Sequence, residues 1–161
     1  MEYISFRLLK GMDSEIISQL LLNSPVEYTK YFHPFDFNPS SIQSVLEKAV
    51  KDRFFGVELK SETSPKSELV GFYMLRGLDE GYADPMYGVF VSHLYSGKGI
   101  ASLTIYHAEC FCKIHGYHKL LLKVYDNNFK AKNLYKHLGF IFLREDNLSK
   151  QILFVKNIVR L

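Results

Sequence analysis

Met86-Tyr87-Gly88-Val89-Phe90-Val91, followed by Ser96-Gly97-Lys98-Gly99-Ile100-Ala101, is the stretch on which the fold is decided. The first six residues are aromatic and β-branched, which suits a pleated, half-buried strand. After the second six, Ile100, Leu103, His107, Ala108, Phe111 and Ile114 recur at steps of three and four until Gly116. That spacing predicts a helix of about 17 residues, roughly 25 Å long. A strand, a glycine turn and a helix N-terminus together make an anion site. The first helical N–H groups have no partner inside the helix, and the macrodipole places about half a positive charge there. Gly97 and Gly99 keep Cβ atoms out of the way of phosphate oxygens, and Lys98 adds a full charge. The implied ligand is a phosphate or pyrophosphate.

Two familiar phosphate loops fit this stretch badly. In the P-loop pattern, Ser92 would occupy the first glycine position and Gly99 the Ser/Thr position. A dinucleotide fingerprint gets Gly97 and Gly99 but meets Ser102 third, and too few residues follow Asp126 for the rest of that fold. The segment instead resembles the acyl-CoA loop of the GNAT acyltransferases, [QR]-x-x-G-x-[GA]. Downstream, Leu120-Leu121-Leu122-Lys123-Val124 reads as a buried strand, and Asn128, Ala131, Tyr135, Gly139 and Phe140 follow. Together with Val124 these residues fill every fixed position of the family's second signature, V-x-x-x-N-x-x-A-x-x-x-Y-x-x-x-G-F. The resemblance is strong over residues 87–142 and weak over the first 70.

The resemblance implies an α+β fold: a mixed, mostly antiparallel sheet flanked by helices and splayed at the acyl-CoA site. It implies transfer of an acetyl group from acetyl-CoA to a primary amine of a small molecule by direct attack. Ser96, Gly97, Lys98, Gly99, Ile100 and Ala101 would grip the pyrophosphate, and the backbone near Val91 would pair with the pantetheine arm. Tyr135 stands at the family's tyrosine position, where a phenol can serve the departing thiolate. Asn128 would hydrogen-bond the cofactor or cap its helix. Glu80 is the expected base for the amine, with Asp79, Tyr82 and Asp84 as rivals. Two positions depart from the family pattern: Ser96 stands where Arg or Gln is usual, and His93 replaces a common proline.

The run from Leu75 to Tyr82 is similar to a hairpin of family members that acetylate amino-sugars on nucleotide carriers. An amino-sugar, free or nucleotide-linked, is therefore the expected acceptor. A protein N-terminus, a polyamine, an aminoglycoside and a non-catalytic acyl-CoA-binding role stay open beside it, and a homodimer is common in such folds.

At 161 residues the chain reads as one domain, 1–161, large enough to bury a real core. No apolar run is long enough to span a membrane, and the first residues lack a signal peptide's apolar segment, so a cytoplasmic location is expected. Cys110 and Cys112 lie two apart on the predicted helix and face different ways. With His107 and His115 they cannot converge on one ion, so no metal is expected. Residues 1–95 hold 9 Lys/Arg against 13 Asp/Glu, and residues 96–161 hold 11 against 4. The basic half suits a polyanion such as coenzyme A. Its lysines are scattered rather than clustered with stacking aromatics, which argues against nucleic acid. The acidic half, if it forms the acceptor side, favours a cationic amine.

Elsewhere, Tyr3 to Leu9 alternates as a first strand, and Asp13 is the expected cap of a helix through Ile16, Ile17, Leu20 and Leu21. Residues 27–37, rich in Tyr and Phe and broken at Pro34, form either core packing or a pocket lining. Ser40 or Ser41 should cap a helix through Ile42, Val45, Leu46 and Val50. Residues 54–59 and 69–75 pair as a hairpin about a polar turn at 61–67, and residues 140–144 and 151–155 form a closing hairpin.

Overall fold

The computed structural model describes residues 1–159. Its seven strands are β1 (Glu2–Leu8), β2 (Arg53–Ser61), β3 (Ser64–Arg76), β4 (Met86–Val91), β5 (Lys119–Tyr125), β6 (Ile141–Asp146) and β7 (Gln151–Asn157). They form one sheet in the order β1-β2-β3-β4-β5-β7-β6. Every pairing is antiparallel except β4 with β5. Five helices complete the fold: α1 (Ser14–Leu22), α2 (Val26–Thr29), α3 (Pro39–Lys48), α4 (Ile100–His115) and α5 (Phe129–His137). The expected α+β architecture is the observed one.

Alternation along the strands divides the core in two. One face buries Tyr73 and Leu75 of β3, Tyr87 of β4 and Leu120, Leu122 and Val124 of β5 against Ile105, Ala108 and Cys112 of α4, with Leu134 and Tyr135 of α5 packed alongside. The other buries Phe54, Phe72, Met74 and Phe90 against Ile17 and Leu21 of α1 and Ile42 and Leu46 of α3. That second cluster contains no residue of β5, β6 or β7. On this face, half of the sheet is left for a groove.

Local chemistry sets the helix ends. Asn38, not Ser40 or Ser41, caps α3: its Oδ1 accepts the Ser41 N–H at 2.9 Å, and Pro39 fills the first helical position, where no donor is needed. Asp13 precedes α1 as expected, but its carboxylate accepts from Arg7 and the Lys10 N–H instead of capping that helix. Gly116 closes α4 in the left-handed region, and the Tyr117 N–H returns to the Cys112 carbonyl at 2.9 Å. The turn between β2 and β3 is tighter than residues 61–67 suggest, since Ser61 already pairs with Ser64. The closing hairpin forms, yet β7 inserts between β5 and β6.

Arg7 on β1 holds two buried carboxylates, donating to Glu58 at 2.6 Å and to Asp13 at 2.8 and 3.0 Å. Burial pushes both acids up, but the hydrogen bonds and charge of Arg7, joined by Lys60 at Glu58 and the Lys10 N–H at Asp13, outweigh it and leave each below its ordinary value. Their contribution is therefore present above the ordinary carboxylate range and is lost as pH falls through it. Arg7→Ala should destabilise the fold by about 2 kcal/mol at pH 7, less than a fully buried pair because Arg7 is itself 37% exposed. In the variant the two acids lose the guanidinium they share, Glu58 keeping only Lys60 and Asp13 only the Lys10 N–H, so the gap from wild type is widest above about pH 5 and narrows below about pH 4. Urea unfolding at pH 7 and pH 4 reads this directly, and a pH-independent gap would count against the ion-pair account.

Candidate active site

The site begins where β4 and β5 part. Only Met86 with Leu121 and Tyr87 with Leu122 pair between them. Beyond these the strands diverge, and the β4 edge faces an open groove of about 1750 Å³. Ser92 donates its N–H to the Val70 carbonyl at 2.8 Å, so the even-numbered residues of β4 turn their backbone groups to β3. By alternation Val89 and Val91 turn theirs into the gap. Extended chain bearing amides can pair there as an added strand. One of these groups already has a partner, since the Val91 carbonyl accepts the Tyr28 hydroxyl at 2.7 Å. A carbonyl oxygen has a second lone pair, so it can still take an amide from a ligand.

At the far end of β4 lies the anion site. Gly97 and Gly99 have φ of 78° and 81°, the left-handed region that favours glycine. A Cβ at either would meet nothing within 4 Å, so backbone conformation, beside ligand access, explains the glycines. The first hydrogen bond of α4 runs from the Leu103 N–H to the Gly99 carbonyl, which leaves the N–H groups of Ile100, Ala101 and Ser102 for an anion. Ser96, Gly97, Gly99, Ile100 and Ala101 all line the groove. Lys98 does not; its ammonium sits 4.8 Å from the centre of the Tyr95 ring. Lys130 of α5 lines the groove instead and donates to Ser96 Oγ at 3.1 Å. This cation beside the loop was missed in the sequence because it belongs to the next helix but one.

Asn128 lines the same groove and also caps α5, its Oδ1 accepting the Ala131 N–H at 3.3 Å. Both readings of this residue are compatible with its position. Tyr135 reaches the groove from α5, with its ring edge-on to Phe140, and burial pushes its phenol up to about 12. Its hydroxyl has no hydrogen-bond partner among the described residues. Glu80 stands exposed at the rim. Its rivals are otherwise engaged. Asp79 accepts the N–H groups of Val50, Lys51 and Asp52, and Asp84 accepts those of His118 and Lys119. Asp52 returns the tie by accepting the Leu78 and Asp79 N–H groups, so the loop carrying Glu80 is clamped to the start of β2. Tyr82 lies over Gly77, at whose position a Cβ would come within 2.6 Å of its ring.

Residues 27–37 turn out to be both core and lining. Phe32, Phe35 and Phe37 pack on the α1–α3 cluster, while Tyr28, Tyr31 and His33 face the groove. Tyr31 meets Tyr125 of β5 at 5.7 Å between ring centres, which roofs the gap. The acidic acceptor side expected from half-chain charge is not what lines the groove. Arg76, Lys119, Lys123 and Arg144 face it with Glu27, Glu80 and Asp84. The reason is local, because of the first-half acids only Glu27, Glu80 and Asp84 line the groove, and Asp13 and Glu58 are paired with Arg7. Among the described residues no group of three or more His, Cys, Asp or Glu could hold a metal ion, and Cys110 and Cys112 are both free.

A family model, the acetyltransferase (GNAT) family, matches residues 20–140. No curated protein matches the sequence. Solved structures share the fold. A domain from Methanocaldococcus jannaschii superposes with a TM-score of 0.80 at 18% identity, covering 98% of this chain and 99% of that one. A PaiA N-acetyltransferase from Thermoplasma acidophilum, solved with coenzyme A, gives 0.76 at 16% identity, with 96% and 99% coverage. A spermidine N-acetyltransferase from Vibrio cholerae, in complex with CoA and spermine, gives 0.73 at 22% identity, with 96% and 95% coverage. No helix among the described residues is long and apolar enough to cross a membrane.

If the anion site is arranged as described, Lys130→Ala should weaken coenzyme A binding about ten-fold and flatten its salt dependence. Lys98→Ala should change affinity by less than about three-fold, since that side chain does not line the groove and its ammonium rests over the Tyr95 ring. Calorimetric titration of both variants at two ionic strengths decides between them.

Proposed function

The chain belongs to the acetyltransferase (GNAT) family, and from that premise we propose that it acetylates the primary amine of a small molecule by direct attack on acetyl-CoA. Acetyl-CoA is the acyl donor. The observation that carries the reading is the parted β4–β5 edge, with an unpaired helix start at one end and Tyr135 facing the same groove. In this reading the pyrophosphate docks on the N–H groups that open α4, beside Lys130, and the pantetheine amides pair with Val89 and Val91. The thioester then lies where the strands begin to separate, and an encounter of two molecules becomes a step within one complex.

The chemistry follows from charge. A neutral amine nitrogen attacks the thioester carbon, negative charge grows on the carbonyl oxygen, and the carbon–sulfur bond breaks with its electron pair going to sulfur. Backbone N–H groups on the open β4 edge, Val89 above all, are placed to meet that oxygen. Tyr135 stays protonated because burial holds its phenol up to about 12. A thiol ordinarily titrates near 8.5, so full proton transfer from Tyr135 to the thiolate would be uphill by on the order of 5 kcal/mol. Its part is thus a strong hydrogen bond to sulfur during departure, and the proton that sulfur finally keeps comes from the attacking nitrogen. Glu80, through water, takes the proton that the incoming ammonium must lose. The aromatic lining of Tyr31, Phe32 and Tyr125 supports a ring-bearing acceptor such as an amino-sugar, free or nucleotide-linked. A cytoplasmic location belongs to the same proposal. So does a homodimer, for which the exposed Ile141, Phe142 and Leu143 of β6 offer a surface.

Tyr135→Phe should lower kcat by ten-fold or more while the acetyl-CoA Kd stays within two-fold. Because the phenol titrates so high, wild-type activity should show no alkaline fall from Tyr135 below about pH 10. Glu80→Gln should depress kcat/KM most at low pH, where the amine is protonated. Thiol release across an amine panel measures all three, and cofactor binding without turnover on any amine would sink the catalytic reading in favour of a binding role.

A further inference from the structure

The groove face of the sheet carries a charge pattern that narrows the acceptor. Arg76, Met86 and Leu121 lie in one register row across β3, β4 and β5, at the point where the last two strands separate. Lys119 is two residues before Leu121 on β5 and on the same face, because the intervening Leu120 is buried in the opposite core. Arg144 of β6 sits on this face as well, across Leu153 from Lys123. Lys123 is committed to Asp146 at 2.9 Å. Arg76, Lys119 and Arg144 have no carboxylate partner among the described residues. Arg76 gives one N–H to the Pro34 carbonyl at 3.3 Å and lies 6.0 Å from the Phe54 ring centre, contacts that orient the guanidinium without neutralising it.

The acids of the groove do not balance these charges. Glu27 pairs with Lys30 at 3.2 Å, and the Asp84 carboxylate is taken up by two backbone N–H groups. Backbone N–H groups orient the Asp84 carboxylate without neutralising it, so Glu80 and Asp84 both keep their charge; Arg76, Lys119, Arg144 and Lys130, none with a carboxylate partner among the described residues, still outnumber them four to two. A cationic acceptor with several amines would meet repulsion here. We propose that the acceptor carries, besides its amine, an anionic group of carboxylate or phosphate type, held by Arg76 and Lys119. The proposal rests on the acyl-transfer reading and specifies the substrate class of that site.

The spacing is suitable. Two strand separations and two residues along a strand put the Cα atoms of Arg76 and Lys119 about 12 Å apart, within joint reach of two long side chains. Gly88, on the same face and two residues along β4 from Met86, is about 7 Å further toward the open gap. An acceptor with amine and anion roughly 6–8 Å apart, several bonds along a chain or across a sugar ring, would span that distance. The same cations favour the chemistry, because positive charge nearby disfavours the ammonium form of the amine.

The test uses matched amines with acetyl-CoA: 6-aminohexanoate against hexylamine, glucosamine 6-phosphate against glucosamine, and spermidine. At least one anionic member should exceed its neutral partner by ten-fold or more in kcat/KM, through KM, and should exceed spermidine likewise. Which pair responds tells carboxylate from phosphate. Arg76→Gln, and separately Lys119→Gln on the exposed strand end, should each cut that preference to about three-fold or less. Equal or better turnover of both neutral members, or of spermidine, overturns the proposal, and so does a preference that survives both variants. Should none of the five be turned over, binding to the CoA-loaded protein is read instead, and no preference for the anionic members overturns it equally. Acetyl-CoA affinity, measured on the same samples, tests the family reading separately.

Discussion

Two residue pairs, Met86 with Leu121 and Tyr87 with Leu122, are all that join β4 to β5. The rest of the molecule is arranged around their separation. A sheet that stops pairing midway leaves strand edges unsatisfied, and an unpaired buried backbone group costs about 1–3 kcal/mol. The gap can persist because α4 bridges both halves of the sheet on one face, packing Phe55 of β2, Tyr73 and Leu75 of β3 and Tyr87 of β4 in one cluster with residues of β5 and β7. On the other face α1 and α3 cover β2, β3 and β4 and leave β5 and β7 bare. Tyr87 links the two bodies at the vertex, its hydroxyl 2.7 Å from Thr104 Oγ1 of α4. The separation is thus held open from outside, and its exposed backbone is available for an extended ligand rich in amides.

The acids of the chain illustrate how composition and location diverge. Asp79 and Asp84 read in sequence as rival bases to Glu80, and Asp52 adds to the acidic count of the first half. In the fold each is consumed by backbone N–H groups, stitching the loop after β3 to the start of β2 and the loop before β4 to the start of β5. What they contribute is rigidity of the groove rim, and since only Asp84 of the three lines the groove, Arg76, Lys119, Lys130 and Arg144 outweigh it there. A half-chain charge count cannot see this, because it gives an acid on a remote loop the same weight as one that lines the groove.

The elements closest to the cofactor were legible in the sequence because their signals are local. The β4 run, the glycine turn, the α4 periodicity ending at Gly116 and the buried run from Leu120 to Val124 all follow from spacing within a few residues. The cap of α3 was misplaced since Ser40 and Ser41 are good caps too, and only the fixed φ of Pro39 shifts the choice to Asn38. The insertion of β7 between β5 and β6 was not legible: a hairpin reads the same whether its second strand lies outside or inside. The hydrogen bond of Tyr28, and Lys130 as a groove contact, were not legible for a related reason. Each meets residues more than thirty positions away, Val91 and Ser96, and no periodicity encodes such a meeting.

That inserted strand has a bearing on how the protein is made. β7 is the last of the seven strands in the chain, yet it lies between two others, paired with β5 along Lys119–Asn157 to Tyr125–Gln151 and with β6 on its other side. The first four strands pair among themselves without it, whereas β5 and β6 are joined only through residues 151–157. The groove that depends on β5 is therefore complete only once β7 is inserted, and a chain cut before residue 151 would leave the facing edges of β5 and β6 uncovered.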